Sequence, residues 1–216
     1  MRREKEILDG LRDCVVNLDI KNVQRLCRDA LSSGIPPYKT IMEGMAKGMD
    51  IVGQKYEKKE YFLAELIMAG EVMKEGTSVL EPYLKSGDLK VVGKIVIGTV
   101  KGDLHDIGKN IAITLLKAAG FDVVDLGVDV PVEKFTDAIT EHKPDILGMS
   151  ALLTTTMIEM EYVIKEIEKA GLRSSVKIII GGAPITSEFA EKIGADAAAG
   201  DAVKGVDICR TWMDIK

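Results

Sequence analysis

Cysteine and histidine are scarce in this chain, and much is excluded by that scarcity. The three cysteines, Cys14, Cys27 and Cys209, are odd in number and form no C-x-x-C pair. Neither a disulfide framework nor a thiolate zinc site can be built from them, so they read as reduced thiols packed in helices. Long apolar runs are also missing; none approaches the roughly 20 residues that span a bilayer. The segment Met1-Arg2-Arg3-Glu4-Lys5-Glu6 is charged and lacks the apolar centre of a signal peptide, which makes the cytoplasm the expected location. No basic cluster offsets the net charge of −5, which argues against a nucleic-acid partner. The remaining composition, 46% hydrophobic and 29% charged, is that of an ordinary globular protein.

The chain has two halves with different periodicity. From Glu4 to Lys85 apolar residues recur at helical spacing. Ile7, Leu8, Leu11, Val15 and Leu18 form one stripe, and Val23, Leu26, Cys27, Ala30 and Leu31 form the next. Gly34-Ile35-Pro36-Pro37 breaks the pattern, with proline suited to the first turn of a new helix. A third helix carries Ile41, Met42, Met45, Met49 and Val52, and a fourth carries Phe62, Leu63, Leu66, Ile67, Met73 and Leu80. Four helices with short breaks imply an antiparallel bundle over residues 1–88. Ser86-Gly87-Asp88 reads as the turn at its end. Residues 89–216 then alternate between strand and helix. Strands are expected at 94–100, 122–126, 146–150, 177–180 and 196–199, and helices at 108–119, 132–142, 156–170, 185–193 and 201–213. That alternation predicts an α/β domain with a five-stranded parallel sheet covered on both faces, Rossmann-like or flavodoxin-like in plan. Ligands of such sheets sit beyond the carboxyl ends of the strands, near the first strand.

One of the two histidines falls at that place. Gly102-Asp103-Leu104-His105-Asp106-Ile107-Gly108-Lys109-Asn110 leads from the first predicted strand into a helix. An imidazole two residues after a carboxylate is a candidate metal ligand or acid–base group; an Asp–His bond that merely ties the loop down is the plain alternative. Gly98, Gly102 and Gly108 thin the backbone around the loop for close approach of something bulky. Ser150-Ala151-Leu152 with Thr154, Thr155 and Thr156 follows the third strand, and Gly181-Gly182-Ala183-Pro184 follows the fourth. The three strand ends would line one broad, uncharged cavity.

Several chemistries fail on these residues. Zinc requires three or four strong ligands, and the loop offers one histidine and two aspartates. His142, before Lys143-Pro144, reads as a solvated helix-end group. A phospho-receiver site needs acidic residues at the ends of the first and third strands, but the third ends at Ser150. No G-x-G-x-x-G run follows the first strand. A single histidine bound to a large metallocofactor that supplies its own other ligands is what remains.

Asp103-x-His105-x-x-Gly108, Ser150-x-Leu152 and Gly181-Gly182 resemble, in order and spacing, the signature of cobalamin-binding domains. The preceding bundle resembles the cap domain of methylcobalamin proteins. Together they cover about residues 1–213 and look like the stand-alone corrinoid proteins of methyltransferase systems and the cobalamin module of methionine synthase. The resemblance implies a cobalamin or related corrinoid bound with its own base displaced, His105 on cobalt, and Asp103 and Thr156 continuing the relay. Leu104, Asp106, Ile107, Gly108 and Thr154 would contribute to the cofactor site. Ser150 would bond the buried base, Leu152 would pack on it, and Gly181 and Gly182 would leave room for its tail. The implied role is a methyl carrier, one component of an enzyme system with no complete active site of its own. It would stand between a substrate-specific methyltransferase (methylamine, betaine, methanol or methoxy donors) and a second methyltransferase with a tetrahydrofolate or thiol acceptor, served by a reductive activation protein. One face of the third and fourth helices would cover the upper side of the corrin, with residues 86–93 as hinge. Proton uptake by the His–Asp pair would tune ligation. A cobalamin-sensing regulator is the alternative; it would normally carry a DNA-binding or signalling module, for which the chain has no room.

Overall fold

Apolar residues three and four apart fold the first part of the chain into helices, as the periodicity predicts. The computed structural model describes residues 2–83 and 91–214. Its chain divides into one unit of Met1–Lys90 with Ala118–Gly120 and another of Val91–Lys117 with Phe121–Lys216. The expected Ser86-Gly87-Asp88 turn, and residues 86–90 of the expected hinge, lie outside the described residues.

In the helical unit, α1 (Arg2–Val16) buries Leu11 and Val15, and α2 (Ile20–Ser32) buries Val23, Cys27 and Ala30. Asp19 caps α2 by accepting the Asn22 N–H at 3.2 Å, a satisfied first-turn donor. Leu18, expected on the first apolar stripe, instead makes the connection between the two helices with φ +60°. Pro36-Pro37 starts the next helix as predicted. That helix begins as α3 (Pro37–Lys39), widens into a π-helical stretch over Thr40–Met45, and runs on as α4 (Ala46–Glu57). Gly48 lets α4 press against α1: a Cβ there would lie 2.7 Å from both the Arg12 carbonyl oxygen and the Val15 Cβ. Met45 and Met49 are buried and Met42 half-buried, so these methionines fill the bundle core. The apolar stripe of α5 (Leu63–Leu80) splits: Leu66, Met73 and Leu80 are buried, whereas Phe62, Leu63 and Ile67 are exposed. Glu65 accepts the Phe62 N–H at 2.8 Å and fixes the start of that helix.

The second unit runs β1 (Lys94–Thr99), α6 (Ile107–Ala118), β2 (Asp122–Asp125), α7 (Val132–His142), β3 (Ile146–Ser150), α8 (Ile158–Lys169), β4 (Lys177–Gly181), α9 (Ser187–Ile193), β5 (Ala197–Ala199) and α10 (Ala202–Trp212). The five strands are parallel, in the order β2-β1-β3-β4-β5. The chain steps outward from β1 to β2 and then crosses to β3, so the order reverses between β1 and β3. Phe135, Leu147, Ile164, Ile167, Ile178 and Ile180 are fully buried in its core, each worth about 1.5–3 kcal/mol relative to exposure. Gly98 belongs to this core rather than to the loop that follows: a Cβ there would meet Phe135 and Leu126 at 3.1 and 3.2 Å. His142 closes α7, with Lys143 at φ +46° before Pro144.

Candidate functional site

The site grows from the carboxyl end of β1. Thr99 is fully buried there, and its hydroxyl donates to the His105 carbonyl oxygen at 3.1 Å. Gly102 turns the chain with φ +78°. Asp103 then points inward with no exposed surface, while Leu104, His105, Asp106, Ile107 and Gly108 are exposed. Asp106 starts α6: its carbonyl oxygen accepts the Asn110 N–H at 2.8 Å and its carboxylate the Asn110 side-chain amide at 3.0 Å.

Asp103 organises everything around it. Its Oδ1 accepts the His105 backbone N–H at 3.0 Å and lies 2.7 Å from His105 Nδ1. Its Oδ2 accepts from Leu152 N at 2.8 Å, Leu153 N at 3.3 Å and the Thr156 hydroxyl at 2.7 Å. An unpaired buried carboxylate is expensive, and this one is fully supplied with donors. Burial alone pushes its pKa up. The bonds from Thr156, Leu152 and the His105 backbone and ring outweigh that and hold it below the ordinary carboxylate range. Asp103 is therefore a fixed anion. It takes the Nδ1 proton of His105 as a hydrogen bond, which leaves the neutral ring's lone pair on Nε2. The side chain of His105 is 50% exposed, so that nitrogen is open to a ligand.

Three strand ends meet beside it. Thr99, Ser150 and Gly181 are in register across β1, β3 and β4. Ser150 is half-buried, Thr154 is exposed, and Leu104, Ile107, Leu152 and Leu153 form an exposed apolar rim, 71%, 63%, 44% and 42% accessible. The glycines differ in what they provide. A Cβ on Gly108 would meet nothing within 4 Å, and one on Gly181 only Ala199, at 3.6 Å. Gly182 has a structural reason of its own: with φ +135°, its Cβ would run into the Ala151 backbone. Hydrogen bonds thus bring His105, Leu152 and Thr156 together on Asp103, whereas Gly181 lies in register with Ser150 at the end of β4.

Four further residues went unnoticed in the sequence. Besides Thr99, Lys109 is almost completely buried and bonds both Asp125 oxygens at 2.7 and 2.8 Å, and Asp125 also accepts the Gly127 N–H at 2.9 Å. Asp129 accepts the Gly102 N–H at 2.7 Å. Lys109 directly follows the Asp-x-His-x-x-Gly run, a position that would have justified attention; Thr99 and Asp129 carry no such signal.

The model of the B12 binding domain matches residues 93–208, and a second model with the same description matches residues 7–81. Trimethylamine corrinoid protein 1 of Methanosarcina acetivorans is 39% identical over 91% of this chain and 92% of its own. The chain belongs to the B12-binding corrinoid proteins. Its fold is also that of solved relatives. A cobalamin-binding protein from Desulfitobacterium hafniense superposes with a TM-score of 0.79 at 35% identity, covering 95% of this chain and 98% of that one. A chain of the methanol:cobalamin methyltransferase complex of Methanosarcina barkeri gives 0.85 at 28% identity, covering 97% and 80%. The cofactor of the family is cobalamin or a related corrinoid. The residues of this corrinoid protein fit that group. Among the described residues no three His, Cys, Asp or Glu side chains converge on a bare ion, whereas one imidazole in an apolar rim suits a cobalt whose macrocycle supplies the other donors. The open space at Gly108 and the absence of any tight neighbour at Gly181 leave room for a large flat ligand with an appendage. No helix among the described residues is long and apolar enough to cross a membrane.

Proposed function

We propose that this corrinoid protein is a methyl carrier that works between two methyltransferases, and that His105 would be the protein's ligand to the cobalt. The observation that carries the reading is the half-exposed His105 ring, held through Nδ1 by a carboxylate whose two oxygens are both engaged. When bound, the corrinoid supplies a cobalt that accepts a methyl group and passes it on. Asp103 fixes the tautomer of His105 and raises its basicity as a ligand. Thr156 and the Leu152 and Leu153 amides keep Asp103 anionic and in place. Leu104, Ile107, Leu152 and Leu153 exclude water from the ligand's edge, with Asp106 and Gly108 shaping the turn into α6. Ser150, Thr154, Gly181 and Gly182 would hold the cofactor's base and tail.

Residues 1–88 serve in this reading as the cap and 89–216 as the cofactor domain. The exposed apolar residues Phe62, Leu63 and Ile67 at the start of α5 supply the surface suited to covering an apolar ligand face. The relatives named as trimethylamine, dimethylamine and monomethylamine corrinoid proteins support methylamines as the donor class. The first partner is then a methylamine:corrinoid methyltransferase and the second a corrinoid:tetrahydrofolate or corrinoid:thiol methyltransferase, with a reductive activation protein restoring the carrier. The test is reconstitution of the full chain with hydroxocobalamin, followed by methylation from mono-, di- and trimethylamine and methanol through the matching methyltransferases. A wild-type spectrum that changes in His105→Gln, and methylation by one amine system, is the expected result. Failure to bind corrinoid, or binding without methylation by any of the four, would refute the carrier role.

A further inference from the structure

The loop that carries His105 is held from a second side, by the segment between β2 and α7. Gly127 accepts the Thr99 N–H at 3.0 Å, and the Val130 N–H donates to the Thr99 carbonyl at 3.0 Å, extending β1 by a bridge between Val100 and Val130. Between these points Asp129 adopts the left-handed conformation, φ +53°. That conformation turns both of its polar groups toward the histidine loop. The carboxylate accepts the Gly102 N–H at 2.7 Å, and the Asp129 N–H donates to the Asp103 carbonyl oxygen at 3.0 Å. The peptide units on either side of the 102–103 step are therefore anchored to one residue, 27 positions beyond Gly102. The Asp103 side chain is anchored independently, at the β3 end, by Leu152, Leu153 and Thr156. A side chain fixed at β3 and a backbone fixed at β2 leave the Asp103 carboxylate, and with it the His105 ring, one orientation.

We propose that Asp129 is a positioning residue for the cobalt ligand: its carboxylate, by holding the Gly102 amide, sets how firmly His105 engages the corrinoid. The inference rests on His105 being that ligand. A left-handed aspartate at an exposed turn is conformationally costly for most residues but tolerated by Asp, Asn and Gly, so the backbone and the carboxylate are separable by mutation. Asp129→Gly keeps the turn and deletes the acceptor. Asp129→Asn keeps the turn and the acceptor and deletes the charge.

The experiment uses the full chain loaded with hydroxocobalamin and reads the absorption spectrum of the bound cofactor, as the fraction with His105 on cobalt, together with the dissociation constant. Asp129→Gly is expected to lower the His-bound fraction and to weaken corrinoid binding about three- to tenfold, the size of one ordinary hydrogen bond at a partly solvated site. Asp129→Asn is expected to restore both toward wild type. A glycine variant with wild-type spectrum and affinity overturns the proposal. So does an asparagine variant as impaired as glycine, because the effect is then one of charge. In the unaltered apo chain the Gly102 amide is expected to be protected from hydrogen exchange; free-loop exchange there overturns the proposal even if the variants fail to fold. His105→Gln separates the two claims. If its spectrum equals wild type, the ligand assignment itself has failed; if His105→Gln changes the spectrum and Asp129→Gly does not, only the role of Asp129 has.

Discussion

Two adjacent glycines at the end of β4 look alike in sequence and do different things. Gly182 is required by the backbone, since its φ is +135° and a Cβ would strike the Ala151 backbone. Gly181 has open space over its Cα, bounded only by Ala199 at 3.6 Å. Gly182→Ala is therefore expected to destabilise the chain by about 2 kcal/mol or more, seen as a lowered urea midpoint in the apo protein. Gly181→Ala is expected to leave the unfolding free energy within about 0.5 kcal/mol of wild type while weakening corrinoid binding severalfold. Equal midpoints for the two variants would contradict this division. The hydroxyl of Thr156 is tested in the same way. It donates to a fully buried carboxylate, so Thr156→Val, which leaves an Oδ2 short of a donor, is expected to cost about 1–3 kcal/mol. Thr156→Ser keeps the donor and is expected to recover most of it. A valine variant as stable as serine would show that the amides of Leu152 and Leu153 suffice.

At the scale of elements, legibility follows the reach of the signal. The limits of α7 coincide with expectation because prolines flank it: Pro131 precedes its first residue, and Pro144 follows the left-handed Lys143. The periodicity starts α8 at Thr156, but the helix begins at Ile158. The Thr156 and Met157 amides close instead on the Leu153 carbonyl, at 3.1 and 3.0 Å, in a turn held by Asp103. A residue 53 positions away leaves no periodic trace. The π-helical stretch within the third helix was likewise invisible, because an extra residue per turn there does not interrupt the apolar stripe. Asp196 shows what such distant contacts contribute. It joins β4 and β5 by accepting from Ile178 N at 2.8 Å, from Arg173 at 2.8 Å and from Lys177 at 3.3 Å. Partial burial raises its pKa, but these donors and the Arg173 charge outweigh burial and lower it. The unfolded carboxyl, near about 3.9, then takes up a proton at higher pH than the folded one. The contribution of Asp196 is complete above that value and is lost as the pH falls through the folded pKa. Asp196→Asn is expected to cost stability at pH 7 and progressively less below pH about 4. A penalty independent of pH over that range would assign the cost to lost packing.

For the whole molecule, the two units of the chain make ligand linkage informative. A ligand that binds only the folded state stabilises it by about 2.7 kcal/mol at 100 times its dissociation constant. For a chain of 216 residues that corresponds to roughly 5–10 °C in melting temperature. Hydroxocobalamin at that excess is expected to raise the transition of the wild-type chain by this amount, and that of His105→Gln by less at the same concentration. The size of the rise measures affinity; its distribution measures architecture. If residues 89–216 alone hold the cofactor, and the helical unit melts separately, only one of two transitions moves. If the exposed Phe62, Leu63 and Ile67 close over the corrin, the helical unit shares the binding energy. Both transitions then rise or merge, and Phe62→Ser removes the shift of the helical one while leaving the melt without added corrinoid almost unchanged, since Phe62 is 67% exposed. A helical transition indifferent to corrinoid in the wild type would reject the cap role and leave the proposed role of His105 untouched.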